Sequence, residues 1–226
     1  MLKNTEINMS RISTKDIAYE KIKEKIIKYL LKPEQPIVNK ELENELEISR
    51  TPLREALQKL EVEKLIVRNS NGIFSVSPIS IKECKELFVM RSKLEGILIR
   101  DAIDNLKEEH IEYLSYLTKM VKLNSRLENA DTENFGGKFH STIYSISDNT
   151  TVVNTILQLN DRINRYRHLA HKHFVDIKTS SDEHEVILEY MIKRDKVNAE
   201  LEIEKHIINA MKVAIEALEN YENVNN

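Results

Sequence analysis

The chain is nearly devoid of turn residues. Four glycines and four prolines serve 226 residues. An all-β fold needs many tight turns and is therefore excluded. What fills the space is rich in Glu, Lys, Leu and Ile, residues that favour helices. Apolar residues make up 41% and charged residues 31%, the balance of a soluble globular protein large enough for one big domain or two small ones. The single cysteine, Cys84, precludes an internal disulfide and suits a reducing compartment. Neither the N-terminal stretch MLKNTEINMSRISTKD nor any later segment carries an apolar run of signal-peptide or membrane-spanning length. The expectation is a cytoplasmic protein without membrane association.

The few turn residues are unevenly placed, and most fall in the first third. Residues 15–31 are amphipathic, with Ile22, Ile26, Tyr29 and Leu30 on one side, until KPEQP breaks the pattern. Asn39 is a candidate cap for the short helix KELENELE. SRTPLREALQKLE follows, with Leu53, Ala56, Leu57 and Leu60 as its buried face. Two β-prone runs, LIVR and IFSV, then flank NSNG, and Asn71-Gly72 signals a hairpin. Three helices and a hairpin in about 65 residues follow the winged helix-turn-helix plan.

The third helix opens with a conflict. Ser49, Arg50, Thr51 and Arg54 crowd its N-terminus, where the helix dipole already disfavours positive charge. A polyanion would resolve it. In this plan the helix enters the DNA major groove N-terminus first. Arginines spaced i,i+4 then reach guanine edges or phosphates, and the hydroxyls cap backbone N–H groups or donate to phosphate. Net charge is weakly negative at −3, with fourteen Lys and Arg against twelve Asp and Glu in residues 1–79. Bulk charge therefore permits a nucleic-acid contact in this third without demanding one.

After Pro78 the helical period dominates. Helices are expected over 80–105, 107–128, 134–147, 150–171, 179–195 and 195–220, with 221–226 fraying. The fold class is mainly α: a winged helix-turn-helix domain over 10–79 and an all-α antiparallel bundle over 80–220. In the last helix Ala199, Ile203, His206, Ala210, Val213 and Ala217 form an apolar seam. His184 and His140 likewise lie on inward faces of their helices. Three histidines on three helices of a bundle can converge on a divalent metal, with Zn, Ni, Mn or Fe suited to imidazole. The alternative is a set of hydrogen-bonded core histidines. His168, His171 and His173 read as a surface cluster. HEVIL is not a zinc-protease helix, because residue 188 is Leu. Arg91 stands on an inner stripe with Leu87, Leu94 and Leu98. It either pairs with Glu95 or faces the interior to take a carboxylate.

ISRTPLREALQKLEVEKLIVRNSNGIFSV resembles the DNA-binding signature of GntR-family bacterial transcription regulators. ELFVMRSKLEGILIRDAI, FHSTIY and EHEVILEYMIKRD, with the spacing to His206, resemble the FCD effector domain of the FadR subfamily. The resemblance implies a homodimeric regulator that binds a double-stranded operator. A small carboxylate effector, with a divalent metal, would control that binding. It places phosphate-contacting or wing-tip roles on Lys40, Asn71 and Gly72 beside Ser49, Arg50, Thr51 and Arg54. It implies metal ligands at His140, His184 and His206, and an effector contact at Arg91. Two positions depart from the pattern. The family's aspartate falls on Gly136, leaving Asp131, Glu133 or a bound ligand to supply oxygen, and Lys64 stands where glycine is usual. A metal-dependent enzyme on a helical bundle with an N-terminal docking module is the contrasting expectation, although no general base or nucleophile pairs with the histidines.

Overall fold

The computed structural model describes residues 13–126, 131–172 and 178–225. The chain divides into two compact units, Met1–Pro78 and Ile79–Asn226.

In the first unit α1 (Thr14–Ile27), α2 (Asn39–Leu46) and α3 (Arg50–Val62) precede a hairpin of β1 (Ile66–Arg68) and β2 (Phe74–Val76). Ile22, Ile26, Leu42, Leu53, Leu57, Leu60, Ile66 and Val76 fill a shared core. The segment after α1 returns along β2. Glu34 and Ile37 donate backbone bonds to Val76 and Phe74, and Val76 donates to Gln35. The strands are antiparallel, with Val67 opposite Ser75.

Several local expectations need correction. α1 stops at Ile27, not at residue 31, because Tyr29 adopts a left-handed conformation at φ 59°. Leu30 is consequently exposed rather than on the buried side. Val38, not Asn39, occupies the cap position of α2 and makes no side-chain cap. The hairpin is not a two-residue Asn-Gly turn. Gly72 donates to the Asn69 carbonyl at 2.9 Å and Asn69 donates to Ile73 at 2.8 Å. Of the loop residues only Gly72 has positive φ, at 83°. This is a three-residue loop in which glycine supplies the left-handed bulge position.

The departure at Lys64 also finds a physical account. α3 ends in a two-bond cap: Leu65 N–H reaches Leu60 O and Lys64 N–H reaches Glu61 O, each at 3.0 Å. Such a cap puts the residue just before its outermost one in the left-handed region, which is why glycine suits that place. Here Lys64 takes that conformation, at φ 59°.

The second unit contains α4 (Ile81–Asp104), α5 (Glu108–Arg126), α6 (Asp131–Ile146), α7 (Thr150–Lys172), α8 (Lys178–Ile192) and α9 (Lys196–Asn225). Ser80 Oγ caps α4 by accepting from Glu83 N–H at 3.1 Å. Leu98, Ala102, Leu114, Phe139, Ile143, Ile187, Met191 and Ile203 build the core. α4 packs most extensively against α9. Gly96 permits that approach, since a Cβ there would stand 3.0 Å from Glu204 Oε1. α9 continues to Asn225, so the expected fraying from 221 does not occur through 225. Its seam also drifts. Ala199, Ile203, His206 and Ala217 are buried as expected, but Ala210 and Val213 are half-buried, and Ala214 and Leu218 join the inner positions. A straight helix of 3.6 residues per turn rotates away from a strict 3.5 repeat in this way. Among the described residues no helix is long and apolar enough to cross a membrane.

Candidate functional sites

Each unit gathers one set of the residues singled out by sequence. In the first unit Lys40, Ser49, Arg50, Thr51, Arg54, Asn71 and Gly72 are all exposed. Ser49 is the N-cap residue of α3, yet its hydroxyl makes no cap bond. Among the described residues neither Arg50 nor Arg54 forms an ion pair. Lys40 stands 3.5 Å from Glu43. Arg50, Thr51 and Arg54 from α3 face Gly72 and Phe74 from the hairpin across one concavity. Arg68, overlooked in the sequence, lines it too. Its signal was visible as the one arginine of LIVR, but strand periodicity did not say which wall it would occupy.

In the second unit four helices bring a polar network into the core. His140 from α6, His184 from α8 and His206 from α9 are buried, at 5%, 2% and 4% exposure. Their Nε2 atoms converge: His140 lies 3.2 Å from His206 and 3.4 Å from His184, and one ligand atom from each falls within 4.8 Å of the others. Two of the three outward nitrogens, those of His140 and His206, are held by carboxylates. His140 Nδ1 is 2.6 Å from Glu95 Oε2, and His206 Nδ1 is 2.7 Å from Glu183 Oε2. A proton on each of these two Nδ1 atoms leaves their Nε2 lone pairs aimed at the centre.

Glu95, on α4, is fully buried. Its Oε1 accepts from Arg91 Nε at 2.6 Å and from the Tyr144 hydroxyl at 2.6 Å. Burial pushes its carboxyl up, but the Arg91 guanidinium, then His140 and Tyr144, outweigh that and hold it well below the usual carboxylate range. Burial lowers His140 to about 4 despite the neighbouring Glu95. The ring is neutral near pH 7, the form that ligates metals. Burial likewise raises Glu183, while hydrogen bonds from His206 and Asn209 bring it below its ordinary value. Sequence reading treated Glu95 only as a partner of Arg91 and did not single out Glu183. The available signal was a carboxylate on an apolar stripe, i+4 from a buried arginine.

The donor set fits a divalent metal. Zn–N bonds of about 2.0–2.1 Å in tetrahedral geometry place ligand nitrogens about 3.3–3.4 Å apart, close to the two separations observed. Gly136 lies one turn before His140, and a Cβ there would meet His184 Cε1 at 3.8 Å. The position of the family's aspartate therefore does adjoin the histidines, with room for a side chain. The side chains of Asp131 and Glu133, and residue His173, lie outside the described residues. His168 and His171 are half-buried rather than on the surface.

Comparison with known proteins agrees with this division. Residues 14–76 match the bacterial regulatory proteins of the gntR family, and residues 86–209 match the FCD domain. The chain is 26% identical over 190 residues to the uncharacterized HTH-type transcriptional regulator YdhC of Bacillus subtilis (strain 168), covering 83% of this chain and 85% of that one. It is 24% identical over 211 residues to the HTH-type transcriptional repressor RspR of Escherichia coli (strain K12), covering 92% and 91%. Among solved structures, E. coli McbR/YncC superposes with a TM-score of 0.78 at 19% identity, covering 91% of this chain and 99% of that one. These relatives are regulators rather than enzymes, and the enzyme alternative gains no support. With a winged helix at one end and a helical bundle at the other, the chain is a DNA-binding transcriptional regulator that belongs to the GntR family and carries an FCD domain.

Proposed function

We propose that operator binding by residues 10–79 is controlled by a small organic acid, acting with a divalent metal, in residues 80–220. His140, His184 and His206 would hold the metal, and the single observation that carries this reading is the meeting of their Nε2 atoms. The metal would offer open positions to an effector carboxylate, with Arg91 next to them. Ser49, Arg50, Thr51 and Arg54 would contact bases and phosphates, Lys40 a phosphate, and Asn71 and Gly72 the minor groove. A cytoplasmic homodimer would present two winged helices to an inverted-repeat operator, as two-fold proteins of this kind do. The effector shifts affinity only by its preference for one arrangement of the dimer, and about 1–3 kcal/mol suffices.

The test combines elemental analysis of protein purified without chelator or nickel resin with a thermal-shift screen of small carboxylates. The screen is run with and without added Zn, Ni or Mn. Stoichiometric metal, and a carboxylate that stabilises only the metal-loaded protein, is the expected result. One observation favours a second reading. At 3.2 Å, His140 and His206 are also within hydrogen-bonding reach, and Glu95 already gives Arg91 a carboxylate. In that version the histidines are structural, and added metal leaves the melting temperature unchanged.

A further inference from the structure

The exposed face of α3 changes sign along its length. Arg50, Arg54, Gln58 and Glu61 follow at intervals of four, four and three residues, so they share one side of the helix. If this side enters a DNA groove, Glu61 brings a carboxylate towards the phosphates. Arg68, the last residue of β1, stands against it. Its Nε and Nη2 lie 3.4 and 3.5 Å from the two oxygens of Glu61. Its guanidinium carbon sits 4.3 Å from the ring centroid of Phe74, its cross-strand partner.

This fork is held but not used up. The bonds to Glu61 are long for N–H···O contacts, and the Arg68 side chain is 47% exposed. Two of its three nitrogens face Glu61, and Nη1 has no hydrogen-bond partner among the described residues. An exposed pair of this length adds little to stability, so an outside anion competes for the fork at small cost. Arg68 also lines the concavity that Arg50 and Arg54 line. Three guanidiniums therefore border one groove, two from the helix and one from the hairpin.

We infer that Arg68 is a further DNA-contacting residue, which gives its outer guanidinium edge to a backbone phosphate while Glu61 and Phe74 position the fork. The inference rests on the reading that α3 meets DNA, and the test separates the two. Binding of the full-length protein to a random-sequence duplex of about 30 base pairs is followed by fluorescence anisotropy over a range of salt. Each phosphate contact contributes close to one unit to the slope of log affinity against log salt.

Arg68→Ala is expected to lower the slope by about one unit and weaken binding roughly three- to tenfold near 0.1 M salt. It does so equally in the wild type and in a Glu61→Gln background. Arg68→Lys keeps the slope, because a point charge still meets a phosphate. Should Arg68→Ala be silent in the Glu61→Gln background, Arg68 merely neutralises Glu61 and the inference is overturned. Loss of the slope in Arg68→Lys overturns it as well, tracing the effect to hairpin structure. If Arg50→Ala with Arg54→Ala weakens binding while Arg68→Ala does not, this inference alone fails. If the wild type shows no salt-dependent binding, the reading of α3 fails with it.

Discussion

The two units hold their polar side chains in opposite ways. In the first, Arg50 and Arg54 stand exposed at the start of α3, with no ion pair among the described residues, next to a serine whose side chain makes no cap bond. In the second, Arg91, Glu95, Tyr144, His140, His206 and Glu183 are buried or half-buried and bonded in series. A surface meant for a polyanion can leave its donors to water, because water is displaced when the partner arrives. A polar group inside a bundle has no such freedom and must be satisfied by the protein itself. Substitutions should therefore act on different observables in the two units.

The largest effect is expected from Glu95→Ala. It strands a buried guanidinium and removes the acceptor of both His140 and Tyr144. Breaking a buried pair in this way costs about 3–5 kcal/mol, measurable as a lowered urea midpoint. A loss below about 1 kcal/mol would mean that the network is far wetter than its burial implies. Next come Arg50→Ala and Arg54→Ala. Each should cost roughly 1–3 kcal/mol of operator affinity where it reads a base, with no change in melting temperature. If either substitution lowered stability instead of affinity, the contrast between the units would collapse.

Gly136→Asp sharpens the comparison from the other side. It places a carboxylate beside the histidines, where a Cβ has space. Metal affinity should rise about tenfold or more, equivalent to ~1.4 kcal/mol, as read by competition with a chromogenic chelator. Unchanged affinity would favour the structural role for the three histidines. The smallest effect is expected from Lys64→Gly. The left-handed backbone at Lys64 costs a residue with a Cβ about 1–2 kcal/mol, partly offset by the greater freedom of glycine in the unfolded chain. A net gain of about 0.5–1 kcal/mol should appear as a modest rise in melting temperature.

Much of this architecture was legible because helical periodicity reports burial directly. Leu53, Ala56, Leu57 and Leu60 were expected on one buried face, and all four are there. The ends of helices were harder. A chain with four glycines cannot advertise its caps, and left-handed caps fall instead on Tyr29, Glu47, Lys64 and Arg194. Nothing about Tyr or Glu as a residue type signals that conformation. The site residues divide in the same way. Histidines on inner stripes were conspicuous because polar rings are rare there. Glu95 and Glu183 were not, because a glutamate near an arginine or histidine ordinarily reads as a solvated ion pair. Only the meeting of α4, α6, α8 and α9 shows which carboxylates are enclosed.

One consequence follows from the place of Glu95 on α4. Only Ser77 to Ser80 join β2 to that helix, which is a rod of roughly 36 Å at 1.5 Å per residue. The carboxylate that holds His140 at the histidine centre thus stands on the helix that follows the hairpin directly in the chain, so the two sites are neighbours in sequence order as well as parts of one regulator.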